Sequence, residues 1–330
     1  MSVLVTGGGG YIGSHMVWAL LDANEDVVVI DNFVTGFRWS LPAECRVYEG
    51  DVGDESLLNE IFSTNEIDAI IHFAGSSIVP ASVSDPLSYY NNNTSKSRTL
   101  IECAVRSSIP NFVFSSTAAV YGTPKELGTV DETRETIPES PYGSSKLMTE
   151  IMLRDASTAY PFHYTALRYF NVAGADPRGR TGQSTKSATH LIKSACKAAL
   201  GLRPHIDVYG TDYPTRDGTC IRDFIHVWDL VEAHLLALKK MRETRKSSTF
   251  NCGYGQGYSV LEVIEAVEIV SGKKIVRNNV ARRRGDPVMV VANPALAIRE
   301  LDWHPRHNDL NAIVGSALAW ERHLLTKNAV

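Results

Sequence analysis

Along the first half of the chain, short β-branched runs alternate with longer stretches whose apolar residues recur three and four apart. The runs Val3–Thr6, Val27–Asp31, Arg46–Tyr48, Ala69–Phe73, Phe112–Ser116 and Tyr164–Leu167 predict strands. Between them, Gly13–Leu21, Glu55–Phe62, Tyr89–Val105 and Tyr142–Ala156 predict helices. Such alternation implies crossover units and a doubly wound parallel sheet of the Rossmann type, an α/β fold with helices on both faces. The run Val27-Val28-Val29-Ile30 is apolar throughout, as a strand covered on both sides requires.

After about Asn171 the rhythm breaks. Gly174–Ser187 is rich in Gly, Ser, Thr and Arg and reads as a loop crossing the surface, and Tyr209–Gly218 reads as a Pro/Gly-rich link. We therefore expect a dinucleotide-binding domain over residues 1–170 and a smaller, substrate-binding α/β domain over 171–330. Residues 223–240, a strand followed by an apolar-faced helix, are candidates for a return to the first domain.

Composition narrows the function classes. With 330 residues, 44% of them hydrophobic and 21% charged, the chain can bury a large core. A net charge of -4 and a pI near 6.2 leave no electrostatic footprint for nucleic acid or an anionic membrane. The basic run Arg282-Arg283-Arg284 thus needs a local explanation. Five cysteines (Cys45, Cys103, Cys196, Cys220, Cys252) are scattered with no C-x-x-C pair, which suits a reducing compartment better than a disulfide scaffold or zinc site. Met1-Ser2 runs straight into Val3-Leu4-Val5, leaving no room for a leader, and no apolar stretch approaches the ~18 residues of a membrane span. A cytoplasmic protein is expected. His304 and His307 lack a nearby third ligand, so no metal is expected.

The first strand ends in Thr6-Gly7-Gly8-Gly9-Gly10-Tyr11-Ile12-Gly13. Gly7 permits a tight turn, Gly10 lets backbone approach a pyrophosphate, and Gly13 lets the helix pack on the strand, its amino end facing the phosphates. Asp31 closes the second strand where a carboxylate accepts from an adenosine ribose. An acid there repels a 2′-phosphate and favours NAD over NADP, although Arg38 follows closely. Asp51-Val52, after the third strand, is a candidate neighbour of the adenine.

Tyr142 and Lys146 stand four apart in Ser140-Pro141-Tyr142-Gly143-Ser144-Ser145-Lys146. Pro141 suits a first helical turn, so both side chains share one face. A tyrosine with pKa near ~10 is a poor base at neutral pH. A neighbouring ammonium, helped by a positive nicotinamide ring, would favour the phenolate. Thr117, at the end of the Phe112–Ser116 strand, can offer its hydroxyl to the same substrate oxygen.

These segments together resemble the extended short-chain dehydrogenase/reductases and, among them, the UDP-glucose 4-epimerases. The likeness continues through His72-Phe73-Ala74-Gly75, Ser115-Ser116-Thr117, Val120-Tyr121-Gly122, Leu167-Arg168-Tyr169-Phe170-Asn171, Tyr209–Thr215, Arg222–Val227 and Arg283–Asp286. It implies that Tyr142 takes the proton of a sugar 4-hydroxyl while NAD accepts hydride from carbon 4, and that the hydride returns to the opposite face. It implies NAD contacts at Gly7, Gly10, Tyr11, Ile12, Gly13, Asp31, Asn32, Phe33, Thr35, Gly36, Asp51 and Val52. Further contacts fall at Phe73, Ala74, Gly75, Ser77, Asn92, Thr117, Tyr142, Lys146, Tyr169 and Phe170. Ser77 replaces a lysine common in the family, which means one cationic contact fewer. Thr117 replaces a serine and keeps the hydroxyl. The run Ser115-Ser116-Thr117-Ala118-Ala119 lacks the acid and base of the related dehydratases.

For a UDP-sugar substrate, Arg222 and Arg283 suit the two phosphates, since guanidinium forks match phosphate oxygens. By resemblance Asn171, His190, Leu191 and Tyr209 line the substrate, Asp286 accepts from ribose hydroxyls, and Val290 stands beside the sugar. A homodimer is implied too. Related epimerases of UDP-N-acetylhexosamines or UDP-pentoses, and a net nucleotide-sugar oxidoreductase, stay open as alternatives. A non-enzymatic NAD sensor on this fold would have no use for the Tyr142/Lys146 pair.

Overall fold

The structure, a computed structural model, describes residues 1–124, 128–185, 188–283 and 286–327. Its strands are β1 (Ser2–Thr6), β2 (Asp26–Asp31), β3 (Arg46–Glu49), β4 (Ile67–His72), β5 (Asn111–Ser115), β6 (Thr129–Val130), β7 (His163–Tyr169), β8 (Asn171–Ala173), β9 (Ile206–Tyr209), β10 (Ile221–His226), β11 (Ser248–Cys252), β12 (Gly257–Ser259), β13 (Arg277–Val280) and β14 (Met289–Ala292). Its α-helices are α1 (Tyr11–Asp22), α2 (Glu55–Thr64), α3 (Val79–Ser84), α4 (Pro86–Tyr89), α5 (Lys96–Arg106), α6 (Pro141–Ala159), α7 (Leu191–Ala199), α8 (Val227–Thr244), α9 (Val260–Ser271), α10 (Ala295–Leu301) and α11 (Leu310–Lys327).

Seven strands make the main sheet in the order β11-β7-β5-β4-β1-β2-β3, and every pairing in it is parallel. Alternation of side chains along β1 explains why both faces must be covered. Val3 and Val5 pack with Met16 and Leu20 of α1 and with Leu230 and Ala237 of α8. Leu4 faces the other way, toward Leu58 of α2, Leu100 of α5 and Leu153 of α6. The chain runs outward from β1 to β3 and then returns to β4 on the other side of β1. That reversal opens a crevice at the carboxyl ends of β1 and β4, the usual place for a ligand in such sheets.

Beyond β7 the chain crosses between layers. Helices α7, α9 and α11 enclose a separate core of Ile192, Ala195, Val263, Val267, Ile313 and Leu318 over the β9–β13 pair. A smaller sheet orders β12-β10-β14-β6, with β8 also on β10. Between these pieces, α8 and β11 go back to the main sheet, where Ser248 registers with Thr165 and Cys252 with Tyr169.

Two local expectations change. The single helix predicted over Tyr89–Val105 is instead α4, one π-helical turn (Tyr90–Ser95) and then α5. The polar run Asn91-Asn92-Asn93-Thr94 has partners outside the helix that hold the widened turn in place: Asn92 donates to the Ser76 hydroxyl, and Asn93 to the Ser76 carbonyl and the Ser145 hydroxyl. The described part of Gly174–Ser187 is not simply a surface loop. Asp176 and Thr181 are buried, Thr181 bonds Ser14, and Arg180 pairs with Asp176 and Asp22 while lying 4.6 Å over the Trp18 ring.

Candidate active site

The glycine turn is dictated by backbone space. Gly7 has φ +69°, and a Cβ there would meet the Ala74 backbone nitrogen at 2.7 Å. A Cβ on Gly13 would lie 2.1 Å from the Gly7 carbonyl oxygen, so α1 can sit on β1 only without one. Gly10 differs, because a Cβ there meets nothing closer than that carbonyl at 3.2 Å. Its outer side is open, and no side chain caps the amino end of α1. An uncapped helix start with open backbone above it fits a pyrophosphate. Tyr11 sends its side chain away, donating to the Gly174 carbonyl at 2.7 Å. Of Tyr11, only the backbone faces the turn.

Asp31 is 7% exposed and has a structural duty as well. One carboxylate oxygen accepts from the Gly9 amide and the other from the Phe33 amide, each at 2.7 Å. Burial pushes its pKa up against these two bonds. The Phe33 ring lies over Gly9, Gly36 packs on the same residue, and Asn32 and Thr35 are exposed at the rim. Asp51 pairs with Lys96 and accepts from the Gly53 amide, beside the buried Val52. Across the crevice, Phe73 and Ala74 follow β4. Gly75 then turns where a Cβ would meet the Asn93 side-chain oxygen at 2.9 Å, and Ser77 is exposed.

The amino end of α6 reaches the same crevice. Ser140 caps it by accepting from the Gly143 amide, with Pro141 in the first turn. Tyr142 and Lys146, 6% and 5% exposed, share the inner face. The Lys146 ammonium donates to the Ser115 carbonyl at 3.0 Å and lies 4.8 Å from the Phe114 ring centroid. Burial brings its pKa down to about 8, with Glu150 one turn on pulling the other way. Burial also pushes the Tyr142 phenol well up, seconded by Tyr169, while the Thr117 side chain opposes the rise. Among the protein's own groups, burial therefore outweighs any help from the lysine. Tyr169 and Phe170, at the end of β7, complete the wall.

The residues expected to hold a nucleotide sugar come from the smaller sheet, the end of β9 and the start of α7. Arg222 on β10 pairs with Asp286, so this cation and this acid are held together. Arg283 lies 3.7 Å over the Tyr209 ring and Arg282 4.1 Å over Tyr213, which explains the described part of the basic run: its guanidinium groups stack on two aromatic residues. Arg284 lies outside the described residues. Asn171 is exposed and donates to the Asp223 carbonyl. His190 stands exposed just before α7, with Leu191 its first residue. Val290 registers with Arg222 and packs among Ala118, Val120, Tyr121 and Phe170.

Residues 3–253 match the NAD dependent epimerase/dehydratase family. The chain belongs to that family. It is 53% identical over 322 residues to the UDP-glucose 4-epimerase of Azospirillum brasilense, covering 98% of this chain and 92% of that one. Among solved structures, the UDP-glucose 4-epimerase of Brucella ovis in complex with NAD superposes with a TM-score of 0.93 at 40% identity, over 96% and 97% of the two chains. The UDP-Glc/GlcNAc 4-epimerase of Campylobacter jejuni does so at 0.85 and 43%, over 98% and 99%.

In this family member, three polar groups near the site have a role that the sequence did not assign. Asn93, 2% exposed, ties the Gly75–Ser76 turn to α6 by accepting from the Ser76 amide and donating to Ser145. The buried Glu150–Arg168 pair, 2.6 Å apart, takes a hydrogen bond from Ser116 and lies behind Lys146. Asp223 is almost fully buried and accepts from the amides of Tyr254, Gly255 and Ala292, while burial lifts its pKa to about 6. For Glu150, the i, i+4, i+8 spacing with Tyr142 and Lys146 was the available signal. The other two have no local signature, because their partners are distant in sequence.

Proposed function

We propose that the chain inverts carbon 4 of a UDP-hexose, interconverting UDP-glucose and UDP-galactose through a 4-keto sugar that stays bound. The observation that carries this reading is the meeting of Tyr142, Lys146 and Thr117 with the open glycine turn at one sheet crevice. The family and the named relatives support the same reaction.

NAD, when bound, would supply the hydride acceptor and donor for carbon 4, and its oxidised ring would add the positive charge that Tyr142 needs. The protein's groups do the rest. Tyr142 receives the 4-hydroxyl proton at its phenolic oxygen and returns it, and Thr117 hydrogen-bonds the same sugar oxygen. Lys146 gives one of its three donors to the Ser115 carbonyl, and the other two would be available to the cofactor's ribose. Gly7, Gly10, Gly13 and the backbone of Tyr11 and Ile12 would hold the pyrophosphate. Asp31, Asn32, Phe33, Thr35, Gly36, Asp51 and Val52 would hold the adenosine, and Phe73, Ala74, Gly75, Ser77, Asn92, Tyr169 and Phe170 the nicotinamide side. Arg222 and Arg283 are the diphosphate cations, Asp286 and Tyr209 border the uridine with His190 and Leu191, and Asn171 and Val290 face the sugar. In this division residues 1–170 serve the cofactor and 171–330 mainly the substrate; of 223–240, the helical part in α8 folds back on the main sheet while β10 stays in the smaller one.

A wider sugar range has its own support. Val290 places no ring beside the sugar, and the Campylobacter jejuni protein is named for both UDP-Glc and UDP-GlcNAc. For assembly, we propose a homodimer through α3, α4 and α6, where Val83, Leu87, Met148 and Ile151 are exposed together. No helix among the described residues is long and apolar enough to cross a membrane. All five cysteines are free and buried, which suits the cytoplasm.

The deciding assay is purified protein with UDP-galactose and no added NAD. Formation of UDP-glucose with no net change in NADH is expected. A need for stoichiometric NAD would overturn the epimerase in favour of an oxidoreductase.

A further inference from the structure

A column of rings links the cofactor end to the last helix and takes no part in the chemistry above. It starts in the loop after β2. Gly36 is packed so tightly on the glycine turn that a Cβ there would meet Gly9 at 2.6 Å. The Phe37 amide donates to the Gly9 carbonyl at 2.8 Å, and the Ser40 hydroxyl donates to the same carbonyl at 3.1 Å. Residues 33–40 thus form the outer wall of the turn. From that wall Trp39 points outward, its ring 5.2 Å from that of Phe37 and 6.4 Å from that of Trp320 on α11. Trp320 stacks in turn on His323 at 4.8 Å, and the Lys327 ammonium lies 3.5 Å over the Trp39 ring.

The far end of the column is fixed. Trp320 is 4% exposed and donates its indole nitrogen to Ser184 at 3.2 Å. Gly182 lies flat beneath it, where a Cβ would meet the ring at 2.4 Å. Next to Ser184, Thr185 donates to the Thr35 carbonyl at 3.3 Å. The C-terminal half therefore grips the loop at two points, through a ring stack and through a backbone carbonyl.

We propose that Trp39 and Trp320 form a clasp by which the C-terminal half holds the 33–40 loop closed over the dinucleotide, so that NAD stays bound from one turnover to the next. Ring stacking and the lysine over the indole exist only while the loop is closed, so they oppose opening and slow release. An epimerase regenerates its NAD in every cycle and loses nothing by slow exchange. Both tryptophans are positioning residues, acting on the cofactor through the loop.

The inference rests on the NAD reading, and the test separates the two. Parent, Trp39→Ala, Trp39→Phe and Trp320→Leu are saturated with radiolabelled NAD and chased with unlabelled NAD, and the retained label is followed. Trp39→Ala should release label about tenfold faster, the scale of one lost aromatic contact, while keeping the parent's circular dichroism spectrum. Trp39→Phe should return most of the way to the parent. Trp39 is 38% exposed, so the Trp39 pair decides the matter even if Trp320→Leu fails to fold. Equal release from parent and Trp39→Ala would overturn the clasp, as would equal release from the Ala and Phe variants. A parent that takes up label but sheds it at once would overturn the clasp alone, and a parent that takes up no label and yields no NAD on denaturation would overturn both the clasp and the NAD reading.

Discussion

At the cofactor end of the crevice a single added carbon has nowhere to go: a Cβ on Gly13 would sit 2.1 Å from the Gly7 carbonyl. Among the residues proposed for the sugar end, Arg283 stands exposed over Tyr209, and Arg222 is held by Asp286, a partner 64 residues away. One end is shaped by backbone that cannot move without breaking helix-on-strand packing. The other is shaped by long side chains whose rotamers choose among partners. Backbone-built sites leave residue types that nothing else can replace. Sites built by side-chain pairing leave residue types that occur everywhere on protein surfaces.

Tyr142 is the proposed base, and removing its hydroxyl should have the largest effect. Tyr142→Phe keeps the ring packing but loses the proton acceptor, and turnover should fall by ~10²–10⁴ with NAD still bound. Near-normal turnover would remove Tyr142 from the chemistry. Arg222→Met probes the sugar end alone. It should raise KM for the UDP-sugar by roughly 10- to 100-fold, the scale of a lost charge-assisted contact, with NAD content unchanged. A parallel loss of NAD would show that the two ends are not independent.

Asp31→Ala combined with Asn32→Arg probes the cofactor end. The preference should move toward NADP, because a 2′-phosphate is no longer repelled and gains a partner. Binding of both cofactors should also weaken, by about 1–3 kcal/mol, because the Gly9 and Phe33 amides lose their acceptor. A clean switch with no loss of affinity would show that the clamp on the turn does not matter. The smallest effect belongs to Val290. If it borders the sugar, the parent should accept UDP-N-acetylgalactosamine besides UDP-galactose. Val290→Tyr should then lower the ratio of the two kcat/KM values by about tenfold, within the ~1–3 kcal/mol that one side chain's bulk supplies. An unchanged ratio would assign the pocket wall to another residue, with Val290 serving only its apolar cluster.

Much of the first half of the fold could be read from the chain. Each of the six predicted strands overlaps a strand of the main sheet. Inner strands such as Val27–Asp31 are buried on both faces and must be apolar in unbroken runs, whereas the edge run Arg46–Tyr48 is exposed or half-buried and reads as a strand by its β-branched and aromatic residues. The seventh strand, Ser248–Cys252, was missed. It reads Ser-Thr-Phe-Asn-Cys, and the polarity of its Asn251 is explained only by buried partners: Tyr121, and the carbonyl of Val130. The π-helical turn was missed for a similar reason. Its asparagines look like helix-surface residues until Ser76 and Ser145 are seen opposite them.

By itself, the sequence determined the parallel sheet, the dinucleotide turn and the Tyr142/Lys146 face. Each depends on neighbours within a few residues, through the alternation of a strand, the room around a glycine or the pitch of a helix. Tertiary structure decided what those groups experience. Burial sends the Tyr142 phenol up and the Lys146 ammonium down, which the local spacing alone did not foretell. Tertiary contact also joined Arg222 to Asp286 and Trp39 to Trp320, pairs made by residues far apart in the chain. Electrostatic environment and side-chain partnership depend on distance in space, and only the packed fold sets that distance.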